Sequence, residues 1–298
     1  MQKTLVVVHD AGGAEIIAGY LRAKLPPDAY AAYAAGPAAH IFAREGLAYR
    51  SAPRSPAGMA RLMRAYPNTR LLTATGWMTG IEKDALWAAK HDGRKTIVYL
   101  ESWNRYRERF GYPTKGWQSN LPDEIWVGDR DAEVLARKYF PRTHVRLVAN
   151  EYFKAIIART KIARKTRAAP GTILFVSDAV PGAEQILEHF LSELEKREGP
   201  HRIRIRFHPA DDRKRYNTVI RKHRSKFAIE KSSEPDIACD LAEARLVVGV
   251  ETVALVAALL ARKKTIVLPR KGATPFLPQK ALLRPKTMGG AIRLITTP

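Results

Sequence analysis

Short, apolar, β-branched runs recur along the whole chain, each followed by a longer stretch with helical spacing. Runs without polar alternation mark strands buried on both faces, and the helices between them supply the covering layers. The pattern therefore predicts an α/β fold built on parallel sheets. In the first half the expected strands are 4–8, 30–34, 70–74, 96–100, 124–127 and 145–148; in the second they are 172–176, 203–207, 227–230, 246–248 and 265–268. Between the two sets, Lys154, Arg159, Lys161, Arg164, Lys165 and Arg167 occur without an acidic residue, and Pro170-Gly171 follows. This reads as a basic helix leading into a linker, giving expected domains 1–153 and 171–298 joined by 154–170.

Both halves open alike. Val6-Val7-Val8-His9-Asp10 and Leu174-Phe175-Val176-Ser177-Asp178 are each an apolar strand ending in an acid, followed by a small-residue loop and a helix. The likeness predicts two Rossmann-like domains facing each other, with a ligand cleft at the carboxyl ends of both sheets.

Four segments at such strand ends carry candidate chemistry. In Asp10-Ala11-Gly12-Gly13-Ala14-Glu15, paired glycines let a ligand approach the backbone, and the following helix start offers N–H groups. The alternative is a tight turn with Asp10 capping the helix. In the segment from Tyr99 to Phe110, which holds Glu101-Ser102-Trp103-Asn104-Arg105-Tyr106-Arg107-Glu108-Arg109, carboxylate, ring, amide and guanidinium groups suit a polyhydroxylated ligand, with Trp103, Asn104 and Arg107 as contacts. The other tryptophans, Trp77, Trp87, Trp117 and Trp126, are read as core or interface packing. In Arg204-Ile205-Arg206-Phe207-His208-Pro209, the histidine can donate to a phosphate and the proline fixes its turn; a histidine that merely caps the strand is the alternative. In Val248-Gly249-Val250-Glu251-Thr252-Val253, a buried strand breaks at Gly249 and an apolar helix begins. There Glu251 would bind sugar or ribose hydroxyls and Thr252 would cap the helix or touch a phosphate, unless Glu251 only satisfies the helix dipole.

The four segments in order resemble the two-domain nucleotide-sugar glycosyltransferases called GT-B, particularly bacterial polysaccharide-biosynthesis members. His208-Pro209, Ser232-Ser233-Glu234-Pro235-Asp236-Ile237 and the 248–255 segment look like the donor half of sialyltransferase-like and capsule-type enzymes. In those, a His-Pro motif contacts the nucleotide and a hydroxyl-bearing residue at a helix start contacts its phosphate. Their carboxylate-carboxylate-glycine motif has no counterpart in this chain.

Charge and cysteine content bound the setting. The chain has 51 Lys and Arg against 29 Asp and Glu in 298 residues, a formal charge of +22, and no acid follows Glu251. The basic surface is expected to meet something anionic, a nucleotide diphosphate or a membrane surface. Nucleic acid is disfavoured, since no helix-turn-helix, zinc finger or RNA-recognition signature occurs. The single Cys239 excludes a disulfide framework and a multi-cysteine zinc site, and fits a reducing compartment. The longest stretch of only apolar and small residues, 253–261, is too short to span a bilayer, and the four-residue apolar run near the N-terminus reads as a strand, not a signal peptide.

The combined expectation is a cytoplasmic enzyme, peripheral on the inner membrane face. It would be an inverting, metal-independent glycosyltransferase that uses a nucleotide sugar as substrate, without a separate cofactor, and a glycan or lipid-linked hydroxyl as acceptor. Glu101 or Asp10 would act as base; Arg206, His208, Pro209, Gly249, Glu251 and Thr252 would hold the donor; Gly12, Gly13, Trp103, Asn104 and Arg107 would hold the acceptor. A nucleotide-sugar 2-epimerase-like enzyme and a non-catalytic nucleotide-binding scaffold of an envelope-synthesis complex are the alternatives.

Overall fold

The computed structural model describes residues 3–76, 79–167, 171–178, 180–197, 199–208, 211–272 and 274–297. The chain forms two compact units, Met1–Tyr152 and Phe153–Pro298.

In the first unit β1 (Thr4–Val8), α1 (Ala11–Lys24), β2 (Tyr30–Ala34), α2 (Pro37–Arg44), β3 (Arg50–Ser51), α3 (Pro56–Ala65) and β4 (Arg70–Thr73) are followed by α4 (Ile81–His91), β5 (Thr96–Leu100), β6 (Glu124–Val127), α5 (Arg130–Tyr139) and β7 (His144–Leu147). The helix α6 (Glu151–Thr166) spans the boundary between the units. The second unit continues with β8 (Thr172–Val176), α7 (Ala183–Leu194), β9 (Arg202–Arg206), α8 (Asn217–His223), β10 (Ala228–Lys231), α9 (Ile237–Glu243), β11 (Ala244–Gly249), α10 (Val253–Leu260), β12 (Lys264–Val267) and α11 (Met288–Thr296).

Among the described residues every strand pairing is parallel. The sheet orders are β3-β2-β1-β4-β5-β6-β7 and β10-β9-β8-β11-β12. Both are the Rossmann order, in which the strand sequence reverses direction beside the first strand. Ligands bind such sheets beyond the carboxyl ends of the strands at that reversal. It falls between β1 and β4 in the first unit and between β8 and β11 in the second.

The strand sequences explain which faces are covered. β1, β5 and β8 are buried at every position, as apolar runs between helical layers must be. β9 alternates instead: Ile203 and Ile205 enter the core while Arg204 and Arg206 face α9. Asp240 of α9, wholly buried, meets Arg206 at 2.8 Å and Arg204 at 3.5 Å, and accepts from the Ser232 hydroxyl at 2.7 Å. This is a charged layer where an apolar one would be usual, and burial pushes the Asp240 carboxyl above its ordinary range.

A glycine stands at each reversal. A Cβ on Gly13 would lie 2.2 Å from the Cβ of Ala74, and one on Gly249 would lie 2.6 Å from Val176 Cγ2. Real Cβ contacts are never so short, so α1 and β11 approach their neighbours closely only because no side chain is there.

Candidate functional site

At the first reversal, the loop after β1 is held from the side. Glu82, on the first turn of α4 and 2% exposed, accepts the backbone N–H of His9 at 2.7 Å and of Asp10 at 3.0 Å through one oxygen. Burial raises its carboxyl above the usual range, opposed by those two bonds. Asp10 occupies the N-cap position of α1 but makes no side-chain capping bond. Its carboxylate lies 3.7 Å from His9 Nδ1. Gly12, exposed at the first turn of that helix, comes close to Glu101: its Cβ would be 3.1 Å from Glu101 Cγ.

Glu101 follows β5 directly and is bonded on both oxygens. One accepts from Arg109, the other from the Thr75 hydroxyl at 2.9 Å. The Arg109 guanidinium, 3% exposed, also reaches the Thr75 hydroxyl at 2.6 Å and the Asn104 carbonyl at 3.1 Å. Both Glu101 oxygens are thus engaged within the protein, and the pair with Arg109 ties the 101–109 loop to the end of β5.

Trp103 departs from its expected ligand role. It is 7% exposed, and its indole N–H reaches Asp129 at 3.0 Å, the residue that caps α5. Burying an indole requires such a partner, and Asp129 supplies it. Arg107 lies over the rings of Tyr112 and Tyr139, at 4.5 and 5.5 Å from their centroids. The Asn104 side-chain oxygen accepts from Arg109 and Ser102, and its backbone carbonyl from Arg109.

At the second reversal, Ser177 just past β8 accepts the backbone N–H of His208 at 2.8 Å and donates to Asp211 at 2.8 Å. Asp211 also accepts from the Tyr216 hydroxyl at 2.6 Å and pairs with Arg215 at 2.7 Å. This network fixes the loop that carries His208 at the carboxyl end of β9. Burial lowers the pKa of the His208 ring while Asp178 and Asp211 oppose that shift, so the imidazole tends toward neutrality. Pro209, its expected partner, lies outside the described residues.

Two expected donor contacts are occupied by the protein itself. Arg206 is bonded to Asp240 and to the carbonyl of Glu234 at 2.9 Å, because β9 turns that side chain toward α9. Glu251 accepts the backbone N–H of Phe276 at 3.1 Å and of Leu277 at 3.0 Å and pairs with Arg284, fixing the segment beyond β12. Both of its oxygens are thus engaged within the second unit. Thr252 takes the N-cap position of α10 without a capping bond, next to Gly249.

Glu82, Thr75, Ser177 and Asp211 are the residues the sequence did not single out, and Arg109 lay within the 99–110 segment without an assigned role. Glu82 sits in Glu82-Lys83-Asp84, which has the look of a solvated helix start. Asp211-Asp212 is likewise followed by a basic run. Only the strand-end position of Ser177, parallel to His9, offered a signal. Among the described residues no three His, Cys, Asp or Glu side chains converge to hold a metal ion, and no helix is long and apolar enough to cross a membrane.

No family model matches the sequence, and no curated protein is similar enough to match it. Solved structures do match. The UDP-GlcNAc 2-epimerase of Neisseria meningitidis bound to UDP-GlcNAc has a TM-score of 0.70, with 12% identity over 99% of this chain and 90% of its own. HepE of Anabaena in complex with UDP-glucose has a TM-score of 0.67 at 12% identity over 99% and 89%. MurG of Acinetobacter baumannii has a TM-score of 0.57 at 12% identity over 91% and 80%. None of the three is named as a sialyltransferase, so the finer resemblance drawn on His208-Pro209 finds no support in them. The similarity is one of architecture: the chain has the α/β fold of the GT-B enzymes, with two Rossmann-like units.

Proposed function

We propose that the chain is a nucleotide-sugar enzyme, and specifically an inverting glycosyltransferase acting in bacterial surface polysaccharide synthesis. The observation that carries this reading is the shared build of the two reversals, each with a glycine-backed strand end and a helix start, in a fold common to proteins solved with UDP or UDP-sugars. Transfer needs a base for the acceptor hydroxyl and stabilisation of the departing phosphate. Asp10 is assigned as the base. Glu101, with Arg109 and Thr75, is assigned to hold the loop that meets a glycan or lipid-linked acceptor. His208 and the N–H groups opening α10 at Thr252 are assigned to the donor phosphates, with Gly249 giving the ligand close access to the backbone.

A 2-epimerase is the second reading, favoured by the TM-score of 0.70 to an enzyme of that name. The deciding experiment incubates the full chain with UDP-GlcNAc or UDP-glucose, with and without hydroxyl acceptors, after a thermal-shift test against UDP. Sugar transfer supports the first reading, acceptor-independent interconversion the second, and UDP binding without turnover a scaffold. No stabilisation by any nucleotide sinks all three. Under the transferase reading, Asp10→Asn lowers turnover by about 10²–10⁴, whereas Glu101→Gln mainly lowers stability.

A peripheral contact with an anionic membrane on its cytoplasmic side completes the reading. α6 carries exposed Lys154, Lys161, Arg164 and Lys165 near Ile162, which is 65% exposed. Each basic residue near such a surface contributes about 1 kcal/mol, screened by salt. Salt-sensitive binding to phosphatidylserine vesicles is expected. Equal binding to neutral vesicles, or tight binding to duplex DNA instead, would reject it.

A further inference from the structure

A cavity of about 510 Å³ opens in the first unit between α4 and the 108–120 segment. Its floor is Glu82, Thr75 and Arg109, and its walls include Trp87, His91 and Phe110. The polar groups there differ in what they have left to offer. Arg109 is neutralised by Glu101, and the Thr75 hydroxyl is bonded to both. Glu82 spends one oxygen on the His9 and Asp10 N–H groups, but its Oε2 is buried with no hydrogen-bond partner. Gly76 packs against that oxygen so closely that a Cβ there would stand 2.6 Å from it. Trp87, 53% exposed, is backed by His91 with ring centroids 5.1 Å apart, a flat surface at the mouth.

A buried carboxylate oxygen without a donor is costly, and the cost is recovered when a donor arrives. A volume of this size, with an aromatic wall and a buried acceptor left unmet, is that of a small-molecule site, and Lys83, Asp84 and Lys90 also line it. We propose that the cavity binds a flat, ring-bearing molecule that presents a hydrogen-bond donor, an amine or a hydroxyl, to Glu82, and that it is the acceptor subsite. The acceptor assignment rests on the transferase reading; the chemistry of the occupant rests on the cavity alone. The ring lies along Trp87 and the donor reaches Oε2, while a carboxylate in the same place would face a second carboxylate oxygen.

The test titrates the full chain at neutral pH with phenethylamine, 2-phenylethanol and 3-phenylpropionate, following binding by NMR line broadening. Phenethylamine and 2-phenylethanol bind, and 3-phenylpropionate is weaker by about tenfold or more. Trp87→Ala, at a half-exposed ring, weakens all three. Glu82→Gln keeps an acceptor for His9 and Asp10 while placing an amide NH₂ at the free position, so 3-phenylpropionate gains and phenethylamine loses. Propionate binding as tightly as the amine to the unaltered chain overturns the proposal, as does an unchanged affinity order in a folded Glu82→Gln. Should Glu82→Gln not fold, the native order and Trp87→Ala decide. UDP is titrated in parallel. Probes that bind a chain with no affinity for UDP leave the cavity standing and remove its acceptor role; UDP binding without probe binding removes the cavity and leaves the transferase reading.

Discussion

Both units place a glutamate just past a strand and close it on an arginine from the chain that follows, but the two clamps hold different things. Glu101 pairs with Arg109 eight residues on, across a loop with packing of its own: Tyr106 and Phe110 lie against Phe140 at centroid distances of 6.1 and 5.3 Å, and Trp117 lies 6.3 Å from the same ring. Glu251 pairs with Arg284 thirty-three residues on, and also ties down the N–H groups of Phe276 and Leu277 in a segment with no helix among its described residues. The first carboxylate rests on a loop that aromatic packing already orders. The second is a main restraint on its loop, with Leu277, Leu282 and the bridge of Leu283 to Ile266 as the others. One motif, a strand-end acid, thus has two structural meanings, set by how much apolar surface its loop buries.

That contrast can be broken by removing each carboxylate. Glu101→Ala strands Arg109 at 3% exposure, so the global loss is the larger one, about 3–5 kcal/mol. Chemical denaturation of the full chain measures it, and a loss below about 1 kcal/mol would mean that water reaches Arg109. Glu251→Ala costs less, about 1–3 kcal/mol, because Arg284 at 31% exposure can turn to solvent. Its effect is local instead: hydrogen exchange and proteolysis should open residues 274–283 while 102–120 stay protected in Glu101→Ala. Equal opening of both loops ends the comparison.

The smallest expected effect concerns a third buried charge. Lys263, 8% exposed, donates to the carbonyls of Ala244 at 2.7 Å and Ala242 at 3.5 Å at the end of α9. Burial, with Arg164 nearby, pushes its pKa down to about 8. The folded chain then releases this proton before the unfolded chain does, so stability contributed by this residue rises between about pH 8 and 10.5. Lys263→Met should flatten that rise in melts across alkaline pH. An unchanged slope would mean that the ammonium keeps its ordinary affinity for the proton.

The fold was legible because its central strands are apolar on both faces. Strands expected at 4–8, 30–34, 96–100, 124–127 and 172–176 have those bounds in the structure, and most others shift by one residue. β3 was not foreseen: Arg50–Ser51 is two exposed residues at the sheet edge, with no apolar signal. The site was less legible, for a physical reason. Periodicity shows which residues leave a strand end, but not which partner each then meets. Arg206 faces a buried aspartate because α9 crosses that side of the sheet, and Trp103 turns inward because Asp129 waits there. Such pairings join residues 26 to 34 positions apart. The single-sequence pattern carries no record of them.

Glu82 has one further consequence. Its carboxyl group is planar and rigid, so the oxygen that receives the loop after β1 cannot move independently of the unpartnered oxygen assigned to the proposed ligand. Anything that draws on the second oxygen shifts the first, and with it the backbone that presents Asp10. Cavity occupancy and loop position then share one coupling free energy, and linkage makes it reciprocal: whatever tightens the loop must alter the cavity's affinity by the same factor.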